Sequence, residues 1–396
     1  MHIAWLGKKS PCCGNVTYGR EVTNALLDRG YRVSFLHFAQ TENTKGDRPA
    51  WQEVSIPCLY KSQIYTIPSP RSSKVLKDAL AELSPDLVHA SLTLSPLDFL
   101  LPDICEELKL PLVATFHPAF DAKLRNLTSG TQHLTYQLYA PALARYDRVI
   151  VFSHLQRDLL VRLGVPEPRL MIIPNGVDVQ RYAPGGAHFK QSLGVDRLFV
   201  YLGRLSTEKN VEALLKAWRS LGLNPDQCRL LIVGDGPLKA SLELFYGGLE
   251  QGIHWWGFEG DETQRIEILR SADAFILPSL VEGLSLSLLE AMACGTACLA
   301  TDVGADGEVL ADGAGIILHP QRVVSELQTL LPLFVEHPEF AGLLGLKARQ
   351  RVLERYTLQS NIDRLELVYQ EVLQTGGLGI GMDYSDPDAP TPLLRS

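Results

Sequence analysis

At 396 residues the chain is longer than one ordinary hydrophobic core serves, so two domains are expected. Hydrophobic residues make up 46% and charged residues 21%, a globular balance, and a net charge of −8 argues against nucleic acid as a partner. No apolar run reaches the roughly 18 residues that span a bilayer, and seven cysteines without a Cys-x-x-Cys pair argue against a disulfide framework or structural zinc and fit a reducing cytosol.

Short apolar runs alternate with amphipathic stretches from the first residues onward. The N-terminus reads as a first strand and not as a signal peptide, because its apolar run is short and precedes Lys8-Lys9. Predicted strands in the first half are Ile3–Leu6, Arg32–Phe38, Leu87–Ala90, Leu112–Phe116, Val149–Phe152 and Met171–Ile173. A second series runs Phe199–Leu202, Leu230–Val233, Ala274–Leu277, Ala297–Ala300 and Gly315–Leu318. Helical patterns lie between them at Arg20–Arg29, Pro96–Leu108, Gln156–Leu163, Glu212–Leu221 and Leu284–Ala293. Strand–helix alternation with short connections predicts an α/β fold with a parallel sheet in each half. The break falls near residue 180, where Asn175-Gly-Val-Asp178 and Pro184-Gly-Gly186 punctuate the chain. Three helices are predicted near the end, at Val323–Glu336, Phe340–Arg355 and Leu358–Leu373. After Thr375 the composition turns to Gly, Pro and Asp, and residues 376–396 read as a disordered tail.

Charge is uneven along the chain. Residues 1–180 hold 19 basic against 17 acidic side chains, and the remainder holds 18 against 28. The first half approaches an anionic membrane more easily than the second.

Two glutamates eight positions apart, Glu282 and Glu290, carry the strongest chemical signal. A strand precedes them, Gly283 marks a turn, and Leu286, Leu288, Leu289 and Met292 read as a buried helix ending at Gly295. About five residues of helix separate Ser285 from Glu290, a rise of roughly 7 to 8 Å. Two carboxylates at that spacing suit two ends of one ligand, such as the sugar and ribose of a sugar nucleotide. The backbone N–H groups of Ser285 and Leu286 at the helix start suit the diphosphate between. The second signal is Gly203-Arg-Leu-Ser-Thr-Glu-Lys-Asn210, after the first strand of the second half. Arg204 and Lys209 there provide two cations for a diphosphate leaving group as it gains charge.

The segment Glu282–Gly295 resembles the signature E-G-x-x-L-x-x-L-E-A-M-A-x-G of the family 4 retaining glycosyltransferases. That resemblance implies the GT-B fold, two Rossmann-like domains facing across a cleft. It implies an N-terminal acceptor domain over 1–180, a nucleotide-sugar donor domain over 181–356, and a C-terminal helix at 357–375 packing back on the first. Glu282 then contacts donor-sugar hydroxyls, Glu290 the ribose, and Arg204 and Lys209 the leaving group. Gly14, in the loop after the first strand, lets backbone approach the donor phosphate, although Cys13 or Asn15 replaces the second glycine of the usual pair. His117, in Thr115-Phe-His117, contacts the sugar near the reacting carbon and is not a general base; a satisfied structural histidine is the other reading. Gly234 shapes the nucleotide side, and Phe258 lies beside the nucleobase unless it belongs to the core. The resemblance implies no metal and no cofactor.

The stretches Gly14–Gly30 and Leu36–Phe38 resemble those of cyanobacterial digalactosyldiacylglycerol synthases. This implies transfer of galactose from UDP-galactose to monogalactosyldiacylglycerol by a cytoplasmic protein peripheral on a membrane. Ile56–Pro68 with Arg71, Lys74 and Lys77 mixes apolar groups with cations, as a docking surface does; an ordinary connection is the alternative. Two rival functions are a family 4 enzyme acting on a soluble sugar or polysaccharide, and a non-catalytic nucleotide-sugar-binding protein.

Overall fold

The computed structural model describes residues 1–10, 14–39, 51–62, 65–118, 127–186 and 188–375. The Cys12-Cys13 pair and the tail 376–396 lie outside the described residues. The first half runs β1 (His2–Gly7), α1 (Gly14–Asp28), β2 (Arg32–Ala39), β3 (Trp51–Lys61), β4 (Thr66–Pro68), α2 (Ser72–Leu83), β5 (Leu87–Ser91), α3 (Leu101–Leu108), β6 (Leu112–Thr115), α4 (Leu127–Leu143), β7 (Arg148–Val151), α5 (His154–Arg162) and β8 (Leu170–Ile172). The second half runs α6 (Phe189–Ser192), β9 (Arg197–Leu202), α7 (Val211–Leu221), β10 (Cys228–Val233), α8 (Lys239–Tyr246), β11 (Ile253–Gly257), α9 (Glu262–Ser271), β12 (Ala274–Leu277), α10 (Leu286–Ala293), β13 (Ala297–Thr301), α11 (Asp306–Leu310), β14 (Ile316–Leu318), α12 (Val323–Glu336), α13 (Pro338–Arg355) and α14 (Leu358–Thr375).

Two sheets result. The first has the order β4-β3-β2-β1-β5-β6-β7-β8 and is parallel except at β3–β4; the second has the order β11-β10-β9-β12-β13-β14 and is parallel throughout. Helices cover both faces, so central strands such as β1 and β12 are buried along their whole length. In each sheet the first strand sits inside, and the strand order reverses beside it, at β1/β5 and at β9/β12. Loops leaving the carboxyl ends of the two strands diverge at such a point and open a crevice for ligands.

Three strands differ from the sequence-based expectation. β3 and β4 form a hairpin-like edge where a connection was one reading, because Gln52, Glu53 and Pro57 break the apolar pattern of a strand. β11 is half-buried at the opposite edge and carries His254-Trp255-Trp256. Helix α1 begins at Gly14, so Asn15 to Gly19 belong to a helix and not to the loop after β1. The predicted helix Pro96–Leu108 is split at Leu100 into a single turn, Pro96–Phe99, and α3.

The halves are joined by several direct contacts. Arg181 bonds Asp178 at 2.8 Å and Glu262 of α9 at 2.9 Å, and also pairs with Glu21 of α1. Asn175 Nδ2 donates to the Leu284 carbonyl at 2.9 Å. Helix α14 lies against α1, where Arg29 pairs with Asp363 at 2.7 Å and Glu366 at 2.8 Å. Tyr369 of α14 reaches His89 of β5, its hydroxyl oxygen 2.6 Å from Nδ1.

Candidate active site

The switch point β9/β12 gathers the chemistry of the second half. The loop after β9 carries Arg204 and Lys209, and the loop after β12 carries Glu282. Leu280 N–H donates to the Glu208 carbonyl at 2.7 Å, and Asn210 Nδ2 donates to the Pro278 carbonyl at 3.2 Å, so the two loops are stitched together. Lys209 Nζ sits 2.5 Å from Glu282 Oε1, and the Ser279 hydroxyl donates to the same oxygen at 2.7 Å. The glutamate side chain is mostly buried, at 10% exposure, while the lysine keeps 21%. A buried carboxylate with two donors is held in one rotamer. Arg204 is looser: its guanidinium is 4.0 Å from Glu208 and its side chain is about one-third exposed, at 36%.

Glu282 and Ser285 are backed by the loop that follows β13. Gly304 has φ +56°, and a Cβ there would come within 2.2 Å of the Glu282 carbonyl oxygen. Ala305 N–H donates to the Gly283 carbonyl at 2.7 Å. Asp306 Oδ1 accepts the Ser285 N–H at 2.9 Å, while Asp306 Oδ2 is buried without a hydrogen-bond partner. The Ser285 N–H is therefore occupied, which corrects the expectation that it faces a ligand. The Ser285 hydroxyl caps α10 by accepting from Leu288 N–H at 3.3 Å. Leu286 and Ser287 N–H, in the first turn, have no intrahelical partner. Burial, and then the Glu282 charge, push the Asp306 carboxyl well above the usual carboxylate range; the Ser285 N–H and Lys209 pull the other way.

Glu290 projects from α10 among Tyr182, Arg265, Glu262 and Glu21. Burial pushes its carboxyl up to about 7, with Arg265 and the Tyr182 hydroxyl opposing. Neither Tyr182 nor Arg265 stood out in the sequence. Gly234, at φ +147°, packs on the Arg204 loop: a Cβ there would come 1.8 Å from the Gly203 carbonyl oxygen. Its glycine is required by that close approach. Phe258, at the end of β11, is 65% exposed, which removes the core reading for its ring. Trp255 and Trp256 are half-buried and bond the Gly247 carbonyl and Glu259.

The switch point β1/β5 gathers the first-half residues. A Cβ on Gly14 would meet nothing within 4 Å, so no internal contact demands glycine there. His117 follows β6 and faces the second half, where a Cβ on Gly283 would come 3.4 Å from the His117 carbonyl oxygen. Tyr18 meets the His117 ring edge-on at 5.0 Å and Phe152 lies 5.3 Å away. His117 Nε2 bonds the Ser91 hydroxyl at 2.8 Å, and Ser91 donates to Asn15 Oδ1 at 2.7 Å. Burial, then the Lys8 charge, push His117 down to about 3, so the ring is neutral. Behind it His89, also lowered to about 3 by burial, stacks on Trp5 at 4.1 Å and bonds Thr115 at 2.8 Å. Among the described residues no group of three or more metal-ligating side chains gathers.

Two parallel-sheet domains that face each other at their switch points, with cations and carboxylates on one side, define the GT-B class of nucleotide-sugar glycosyltransferases. Residues 14–181 match the family described as Glycosyltransferase Family 4, and residues 196–332 match Glycosyl transferases group 1. The alpha-maltose-1-phosphate synthase of Mycobacterium tuberculosis is 30% identical over 286 residues, which cover 66% of this chain and 73% of that protein. The phosphatidyl-myo-inositol mannosyltransferase of Mycolicibacterium smegmatis is 28% identical over 374 residues, covering 92% of this chain and 91% of that one. Sucrose-phosphate synthase from Thermosynechococcus elongatus shares the fold, with a TM-score of 0.76 and 21% identity over 94% of this chain and 99% of its own. The chain belongs to the group 1, family 4 glycosyltransferases.

Proposed function

We propose that the chain moves galactose from UDP-galactose to monogalactosyldiacylglycerol at a membrane surface, giving digalactosyldiacylglycerol with retention at the anomeric carbon. The donor half rests on one observation: Lys209, Glu282, the α10 start and Glu290 follow one another along a single switch point. In this reading Glu282 holds sugar hydroxyls, the Leu286 N–H meets the diphosphate and Glu290 takes the ribose. Phe258 offers an exposed ring for the base, and Gly14 and Gly234 let backbone close on the ligand. Glu282 spends one oxygen on Lys209 and Ser279, which suits an anchor better than a nucleophile.

The step is a front-face displacement. The bond from the anomeric carbon to the β-phosphate oxygen breaks, and the acceptor hydroxyl oxygen bonds the same carbon from the same face. Its proton passes to the departing phosphate oxygen. Arg204 and Lys209 stabilise the charge that develops on that phosphate, a contribution of about 2.7 to 4 kcal/mol for one donor in comparable sites.

The lipid acceptor is supported by an apolar rim on the first half. Leu59, Tyr60, Tyr65 and Ile67 of the β3–β4 edge are all more than two-fifths exposed, and Tyr60 and Tyr65 pair at 5.6 Å. The turn Pro96–Phe99 contacts both β4 and α4, and α4 exposes Leu134 and Leu138 one helical turn apart. Arg71 and Lys74 are exposed beside this edge, whereas Lys77 is paired with Glu107. Apolar groups rimmed by cations suit an anionic lipid surface. Among the described residues no helix is long and apolar enough to cross a membrane. A relative named for phosphatidyl-myo-inositol points the same way.

A soluble sugar acceptor is the second reading, supported by the likeness to alpha-maltose-1-phosphate synthase. Mass spectrometry of lipids from cells with and without the protein separates the two. Loss of a dihexosyl lipid with build-up of its monohexosyl precursor is expected. An unchanged lipid profile beside a lost soluble glycoside contradicts the lipid reading.

A further inference from the structure

The hydrogen bonds around His117 have a direction that starts from a backbone carbonyl. Asn15 Nδ2 donates to the Leu92 carbonyl at 3.2 Å. A carbonyl only accepts, so the amide nitrogen of Asn15 must face it and Oδ1 must face Ser91. The Ser91 hydroxyl then gives its one proton to Asn15 Oδ1, at 2.7 Å. Only lone pairs of Ser91 Oγ remain for His117 Nε2, 2.8 Å away. In a neutral imidazole one nitrogen donates and the other accepts. The proton therefore sits on Nε2, and Nδ1 is bare. Ser91 is 1% exposed, and the Tyr18 and Phe152 rings flank the imidazole, so the relay is shielded and the ring has little room to turn. Among the described residues none bonds Nδ1.

We propose that Asn15 and Ser91 are positioning residues that hold His117 as the Nε2–H tautomer and leave its Nδ1 as a hydrogen-bond acceptor for a hydroxyl of the bound sugar. This rests on the sugar-nucleotide reading above. The same geometry denies His117 the role of acid at Nδ1. Its low basicity lets it accept a hydrogen bond without taking the proton, so it orients the sugar and leaves the transferred proton to the phosphate. Ser91 closes β5 and Asn15 opens α1, so the relay lies across the β1/β5 switch point and ties His117 to the loops that divide there.

The test uses the whole protein with ¹⁵N-labelled histidine and long-range ¹H–¹⁵N spectra, the His117 signal being assigned by its loss in His117→Gln. Wild type is expected to show protonated Nε2 and bare Nδ1. Ser91→Ala is expected to show averaged tautomers, with kcat/KM for the sugar nucleotide down roughly 3- to 10-fold, the loss of one neutral hydrogen bond. The dissociation constant for UDP is expected to stay unchanged, and Ser91→Thr is expected to restore both signals. An Nδ1–H ring in the wild type overturns the proposal even where Ser91→Ala does not fold. So does a Ser91→Ala protein with wild-type tautomer and kinetics. The spectrum needs no turnover: an Nε2–H ring in a protein inactive on every sugar nucleotide supports the positioning and overturns the transfer reading instead.

Discussion

Lys209 Nζ and Glu282 Oε1 are 2.5 Å apart across 73 residues of sequence, and this pair joins the two loops that leave β9 and β12. In the proposed reading the lysine assigned to the leaving group and the glutamate assigned to the sugar are one charged unit. A diphosphate bound as proposed would give Lys209 a second anion.

Lys209→Ala is expected to slow transfer by about 10²- to 10³-fold in kcat, because it removes a donor at a developing anion. It also leaves Glu282 with Ser279 alone, so thermal stability is expected to fall. Steady-state kinetics at saturating donor checks the first effect, and a retained wild-type kcat removes Lys209 from the leaving-group role. Arg204 is not tied in this way. Arg204→Ala is expected to lower kcat with little change in melting temperature.

Glu290 gives a pH signature. Its folded carboxyl titrates near 7 against an ordinary value of 4.5, so between these values the folded state binds more protons than the unfolded chain. Stability from this site is then complete below about pH 4.5 and is lost as pH rises towards 7. Glu290→Gln is expected to gain melting temperature relative to wild type as pH goes from 5 to 8. UDP binding has the opposite sense, since an ionised carboxylate accepts stronger bonds from ribose hydroxyls. Calorimetric affinity for UDP is expected to tighten from pH 6 to 8 in the wild type. In Glu290→Ala it is expected to be roughly 10- to 100-fold weaker, the loss of a charged hydrogen bond.

Asp306 holds the Glu282 loop from behind. Asp306→Ala unpairs the buried Ser285 N–H and is expected to cost about 1 to 3 kcal/mol in denaturant unfolding. Asp306→Asn keeps an acceptor for that N–H and is expected to retain most of the stability and rate. Equal losses in the two variants would mean that the bond to Ser285 contributes little.

The β3–β4 edge is the proposed lipid contact. Leu59→Ser with Ile67→Ser is expected to cut co-sedimentation with vesicles containing phosphatidylglycerol by several-fold. UDP affinity is expected to stay unchanged. Unaltered sedimentation would move the membrane contact elsewhere or remove it.

Most of the fold was legible because its central strands are buried on both faces and read as plain apolar runs, as Ala274–Leu277 does. The edges were not. β3 carries Gln52 towards solvent and pairs Glu53 with Lys9, so charge interrupts its apolar pattern, and β11 hides its strand character behind three half-buried rings. Glu282, Glu290, Arg204 and Lys209 stood out by spacing and residue type. Their pairing did not, since nothing local in sequence says that Lys209 faces Glu282 and not solvent. Asp306 did not stand out, because its burial goes with Gly304 letting the loop press on the Glu282 backbone. Ser91 carried one weak cue, a small hydroxyl closing an apolar strand. Tyr182 and Arg265 carried none, because only the packing of the linker against α9 and α10 brings them to Glu290.

The most direct test of the proposed reaction is the proton spectrum of the product formed from UDP-galactose and monogalactosyldiacylglycerol in vesicles. An α-anomeric signal on a new digalactosyl lipid, formed far more slowly with Lys209→Ala, is the result predicted. A β-linked product, or galactose appearing only on soluble acceptors, contradicts it.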